Sequence, residues 1–153
     1  MSLPKSVVKF NKNGVTYTSS VDRVNYTIKE LTRAALRDVG RFVSRTANSA
    51  AMKLPGLKKS RRVRGKSSAF QFWVRKKETD LQVGIKHGTW YGEQQELGTH
   101  KQPKRGILHN AVYNNVDKIV EIESQYLSAL EDEAAALAKI ESENDYKGGG
   151  DDD

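Results

Sequence analysis

The chain has 153 residues, 37% of them hydrophobic, no cysteine and a formal net charge of +7. That length holds one domain with a single modest core, and the missing thiols exclude a disulfide framework and a thiolate metal site. The charge is divided: residues 1–119 carry 24 Lys+Arg against 8 Asp+Glu, a surplus of +16, whereas residues 120–153 carry 2 against 11, a surplus of −9. A basic body with an acidic C-terminal arm can pair head to tail with copies of itself, or turn its body toward polyanions. A mean hydropathy of −0.70 is low for a self-sufficient monomer and fits either a subunit that completes its burial in an assembly or a chain with a disordered tail.

The first 20 residues lean toward strand. Val7-Val8-Lys9-Phe10 and Val15-Thr16-Tyr17-Thr18 flank Asn11-Lys12-Asn13-Gly14, and Asn-Gly between β-branched runs predicts a hairpin. Its small apolar content requires another surface to lie on, or leaves it mobile. Asp22 is the expected N-cap of the next element. From there Val24, Ile28, Leu31, Ala35, Val39 and Phe42 recur at helical spacing, predicting one helix over 22–52 that Gly40 weakens without stopping and Pro55-Gly56 ends.

Residues 53–68 hold Lys53, Lys58, Lys59, Arg61, Arg62, Arg64 and Lys66 with no acid, and glycines and serines that predict a loop. Such a run repels itself and favours an anionic partner. Residues 69–77 and 81–86 alternate as two antiparallel strands around a turn at 78–80. Phe70, Phe72 and Val74 share one face with period two, while Gln71, Trp73 and Arg75 share the other. Trp73 on the polar face requires either a covering helix or another subunit.

The stretch Trp90 to Leu108, WYGEQQELGTHKQPKRGIL, is the hinge between the two halves. A short helical run over 92–97 is stopped at Gly98-Thr99, and Pro103 and Gly106 punctuate the exit. Gly98 is expected to supply a backbone angle that a Cβ would penalise, Thr99 to bond local backbone, and Glu96 to bind backbone amides or a neighbouring Arg, or else to stay solvated. Beyond it, Leu108, Val112, Val116, Ile119, Glu123, Tyr126, Leu130, Leu137 and Ile140 trace one long helix. Pro is absent from 107–147 and so is Gly. A helix of some 35 residues would be about 50 Å long, so 131–144 is expected to project, fray or pack on a neighbour. Residues 145–153 are expected to be a flexible acidic tail with no part in the fold. The whole is thus expected to be α+β: a small antiparallel sheet with a long N-terminal and a long C-terminal helix, in one domain over 1–144.

No enzyme constellation is visible. His87, His100 and His109, with Glu93 and Glu96 between them, lack the spacing that sets two metal ligands on one helix face. Neither a nucleophile elbow nor a phosphate-binding loop occurs. No cofactor is expected, no run approaches the ~18 apolar residues of a membrane span, and MSLPKSVVKF lacks an apolar core of signal-peptide length. Basic runs bracketing Phe70, Phe72 and Trp73 leave a non-specific nucleic-acid-binding module as one alternative, with only Trp73 available to stack on bases.

Tyr91-Gly92-x-x-x-Glu96-Leu97-Gly98-Thr99 followed by Pro103-x-x-Gly106-Ile107-Leu108 resembles the signature of small tail-completion, or head–tail joining, proteins of long-tailed bacteriophages. The likeness of element order extends over roughly residues 20–142. The family often has a second Pro where this chain has Gly106, so a looser helix start is expected here. The resemblance implies a structural virion protein without catalysis, forming a ring of identical copies, expected to be sixfold, between head connector and tail tube. Its partners would be the head connector or stopper and the tail terminator or tail-tube protein, and its place the virion neck, with the host cytoplasm during assembly. A tail terminator capping the tube is the alternative within the class. On this reading Trp90, Tyr91, Glu96, Leu97, Gly98, Thr99 and Pro103 form the interface motif, and Lys58, Lys59, Arg61, Arg62, Arg64 and Lys66 face a protein partner or the DNA backbone.

Overall fold

The fold is built along one helix. The computed structural model describes residues 8–19, 21–54, 69–75, 79–86 and 90–145. In chain order these form β1 (Val8–Lys12), β2 (Val15–Ser19), α1 (Val21–Lys53), β3 (Phe70–Val74), β4 (Leu81–Ile85), α2 (Trp90–Leu97), α3 (Ile107–Tyr113), α4 (Val116–Ser128), a 3₁₀ turn (Ala129–Glu131) and α5 (Glu133–Asp145). The class is α+β: helices packed with small antiparallel strand pairs. The basic loop, with Lys58, Lys59, Arg61, Arg62, Arg64 and Lys66, lies outside the described residues, as does the expected tail from 146 on.

β1 and β2 pair antiparallel from Val8↔Ser19 to Lys12↔Val15. The two residues between them, Asn13 and Gly14, have φ of 53° and 78°. That is the double left-handed turn whose twist suits a hairpin. β3 and β4 form a separate pair, from Phe70↔Ile85 to Val74↔Leu81, so the expected single sheet is two hairpins that do not join.

α1 is 33 residues long, about 50 Å at helical rise, and begins at Val21, which puts Asp22 inside the first turn and not at the cap. Its apolar face is buried in two consecutive clusters. Leu31, Ala34 and Ala35 pack with Tyr126, Ala129, Ala136 and Ile140. Val39, Val43 and Ala47 pack with Phe70, Ile107 and Ala111. The expected stripe is therefore covered from Leu31 onward, while Val24 and Ile28 stay 51% and 42% exposed.

Gly40 is more than a weak point of α1. A Cβ there would stand 2.5 Å from the Phe72 ring and 2.7 Å from Leu81, so the missing side chain is what lets the β3–β4 hairpin lie against the helix. One turn pair further on, Asn48 finishes the contact. Its amide donates to Phe70 O at 3.2 Å and its carbonyl accepts from Phe70 N at 3.1 Å, replacing the neighbour strand that β3 lacks there.

The single long C-terminal helix is corrected to three pieces. At the first break Asn115 donates its side-chain amide to Ala111 O at 3.0 Å, while its N–H tightens onto Val112 O at 3.0 Å. The side chain competes for the carbonyl the helix would use, and Asn115 sits at φ −131°. At the second break Asp132 is extended, φ −128° and ψ 118°, and its carboxylate accepts from Ala134 N at 2.9 Å, an N-cap for α5. The reversal lays α5 on α1, with Ala136 and Ile140 buried. The segment 131–144 thus packs on its own chain, and an overlong projecting helix is no longer a reason to expect oligomers.

Candidate functional site

The hinge is a closed corner between α2 and α3. α2 starts at Trp90, two residues before the expected run, and ends at Leu97. Gly98 has φ of +80°, and its N–H bonds Gln94 O at 2.9 Å, so a left-handed residue closes the helix as expected. Thr99 then pairs with Gln102 in both directions, Thr99 N to Gln102 O at 2.8 Å and Gln102 N to Thr99 O at 3.2 Å. The Thr99 hydroxyl accepts from Gln102 N at 3.1 Å and Lys101 N at 3.3 Å. This is the local backbone bonding expected of it. Pro103 leads the exposed return segment, which crosses so close to the corner that a Cβ on Gly98 would stand 2.7 Å from Lys104 N.

The return segment satisfies the end of α2. Arg105 N donates to Gln95 O at 2.9 Å and Gly106 N to Glu96 O at 3.3 Å, carbonyls that a helix terminus would otherwise leave without partners. Glu96 then reaches across to α3. Its two carboxylate oxygens accept from Leu108 N and His109 N, each at 2.9 Å. The N-cap position of α3 is Gly106, at φ 55° and ψ 44°, with no side chain to cap it. A residue ten positions earlier supplies the cap, and its negative charge sits at the positive end of the α3 dipole. Of the roles open to Glu96, the acceptor of backbone amides is the one observed.

The expectation of a looser start at Gly106 is corrected by the same contacts. The start of α3 is held by Glu96, and the left-handed angle at Gly106 is one that proline, fixed near φ −65°, cannot adopt. Leu97 and Pro103 are exposed on the corner. Trp90 and Tyr91 occupy the first turn of α2, and their side chains lie outside the described part of the structure. His109 is on α3 with its ring centroid 4.2 Å from that of Tyr113, and His100 is in the exposed turn. His87 is outside the described residues.

Sequence reasoning did not single out Asp38. It accepts from the Arg41 guanidinium at 2.6 Å and from the Tyr126 hydroxyl, and Lys139 of α5 stands 5.0 Å over the Tyr126 ring. Asp38, Tyr126 and Lys139 tie α4 and α5 to the middle of α1. It borders an open groove of about 590 Å³ along α1, whose lining includes Arg41, Arg45, Lys53, Ile122 and Gln125. Among the described residues no helix is long and apolar enough to cross a membrane.

No protein-family model, curated protein or solved structure matches the chain significantly. The corner itself offers backbone turns, a half-buried cap and an exposed rim, arranged to hold two helices together.

Proposed function

We propose that the chain is a structural virion protein of the head–tail junction, a tail-completion or head–tail joining protein that acts as a ring of identical copies between head connector and tail tube. One observation carries the reading. The residues that resemble the joining-protein signature, Glu96, Gly98 and Thr99, meet the segment from Pro103 to Leu108 in one closed corner. Each takes a role that its residue type explains: Glu96 caps α3, Gly98 makes the left-handed stop, and Thr99 closes the turn. A corner of this kind fixes the direction of α2 relative to the α3–α5 arm and presents a rigid rim, which suits assembly by surface complementarity. The proposed partners are the head connector or stopper on one side and the tail terminator or tail-tube protein on the other. The basic loop at 58–66 docks on an acidic neighbour, and no catalytic step or cofactor enters.

The test is made on particles. In a phage lacking the gene for this chain, free heads and free tails should accumulate, and supplying the chain should restore joined particles in which antibody-bound gold labels the neck. Joined, infectious particles in its absence would overturn the reading.

The alternative of a nucleic-acid-binding module keeps one point of support. Trp73 is 39% exposed on the face of β3 away from α1, beside the exposed cations Arg75 and Lys86. Binding of single-stranded oligonucleotides that falls steeply with salt would favour it.

A further inference from the structure

Among the described residues, two of the surfaces that expose apolar groups have no other described element over them. The first is the flank of α4. Tyr113, at the end of α3, and Val116, Val120, Leu127 and Leu130 are exposed between 42% and 68%. On α4 the covered positions are Ile119, Ile122 and Tyr126, followed by Ala129 in the 3₁₀ turn. At 100° per residue Val116, Val120, Leu127 and Leu130 fall on the arc directly beside them. The apolar arc of α4 is thus about 180° wide, more than one neighbouring helix covers. The stripe exposes on the order of 500 Å² of apolar surface, at the upper end for a monomer. Exposed Glu123 lies within the stripe and exposed Asp117 and Glu131 edge it, while Lys118 and Glu121, paired at 2.6 Å, are on the far side of the helix.

The second is the outer face of the β3–β4 hairpin. The inner face carries Phe70, Phe72 and Leu81 against α1. Trp73 is on the other side, with its ring 3.7 Å from where a Gly84 side chain would begin. Cations stand at the edges of this face, at Arg75 and Lys86, with Gln71 and Gln82 between them. A large exposed aromatic with a cation at either edge, Arg75 being 4.0 Å from Asp80, is the composition of an interface anchor.

The geometry points to one pairing, which rests on the ring proposed above: the Trp73 face of one copy seats on the α4 stripe of the next. Charge decides between the arrangements. A stripe facing a second stripe would bring six acids together. A stripe facing the hairpin sets its acids against Arg75 and Lys86, which outnumber the one described acid of that face, Asp80, itself 4.0 Å from Arg75. The hairpin's inner face is held on α1, so Trp73 looks away from the chain's own helices and meets α4 only in another copy. Each copy then uses two different surfaces, and such a contact propagates into a closed ring or an open filament, not a twofold dimer.

The experiment uses two broken chains. Val120→Asp with Leu127→Asp spoils the stripe, and Arg75→Glu with Lys86→Glu spoils the hairpin face. All four positions are exposed, and circular dichroism checks that both variants fold. By multi-angle light scattering the wild-type chain at several hundred micromolar should form multimers. Each variant alone should be monomeric, with association weakened at least tenfold. An equimolar mixture should stop at one species of twice the 17.1 kDa chain mass, because each partner keeps one good surface. Adding Asp117→Lys and Glu123→Lys to the Arg75→Glu, Lys86→Glu chain should restore multimers. A wild-type chain that stays monomeric, variants that remain multimeric, or a mixture that gives only monomers would each overturn the pairing. So would a monomeric chain whose Trp73→Ala variant loses binding to a fluorescent single-stranded oligonucleotide. Failure here leaves the joining role standing if the chain still joins heads to tails. Intact multimers on a phage that joins without them would instead count against that role.

Discussion

Replacing Gly98 with Ala puts a methyl group where the corner has no room, and two separable costs follow. The first is conformational: a left-handed φ of +80° costs an L-residue about 1 kcal/mol relative to Gly. The second is steric. The new Cβ would stand 2.7 Å from Lys104 N and 3.0 Å from Lys104 Cα, which are backbone atoms that cannot rotate away. Moving that segment strains the bonds from Arg105 N to Gln95 O and from Gly106 N to Glu96 O, and overpacking of this kind costs about 2 kcal/mol. The sum is about 3 kcal/mol, a fall in Tm of roughly 6–12 °C for a chain of this size. Gly106→Ala is the internal control. It also has a left-handed φ, 55°, but its nearest neighbour would be 3.7 Å away, so only the conformational cost of about 1 kcal/mol applies. Urea unfolding followed by circular dichroism measures both. If the two variants lose the same stability, the close crossing of Lys104 does not constrain the corner and the steric argument fails.

Glu96→Gln keeps one acceptor oxygen of two and removes the charge at the α3 dipole, so unfolding measurements should show a loss of about 1 kcal/mol, and Glu96→Ala about 2 kcal/mol, with the fold retained. Asn48→Ala leaves Phe70 N–H and C=O without their partner on a residue only 4% exposed; the expected cost is about 2 kcal/mol, with faster amide exchange in β3. Asp132→Ala removes the cap of α5 and should cost about 1 kcal/mol, read as earlier thermal loss of helical signal. Replacing Lys58, Lys59, Arg61, Arg62 and Arg64 with Ser should block head–tail joining in particle counts; joined particles that leak DNA would instead assign the loop to the DNA backbone, with a log–log salt slope of about −0.9 per phosphate.

How far the sequence can be read depends on how local each determinant is. Asn13-Gly14 announces its hairpin because two adjacent residues set the turn. The period of α1 announces the helix, since Leu31, Ala35 and Val39 repeat on one face. At the corner, Gly98 and Thr99 act within four residues of themselves and were legible. Glu96 was legible as an acceptor but not as the cap of α3, because its partners are twelve and thirteen residues away. The breaks in the C-terminal helix had a signal that the apolar period hid. Asn114-Asn115 and Asp132 carry short polar side chains that compete for backbone groups, and a helical spacing of apolar residues can run straight across such breaks. Asn48 and Gly40 had no readable sign: their meaning depends on Phe70, Phe72 and Leu81, which arrive more than twenty residues later.

The pairing of Asp38 with Tyr126, across 88 positions of the chain, sets an order of events during synthesis. The second half of α1 can begin to bury Val39 and Val43 once β3 and α3 have been made. The first half has nothing to pack on until Tyr126, Ala136 and Ile140 emerge. At roughly 5–20 residues per second, the ribosome needs about 5–20 s to travel from the end of α1 to the middle of α5. For that interval Leu31, Ala34 and Ala35 face water or a chaperone, so the nascent chain is most open to misassociation along the helix that later serves as its spine.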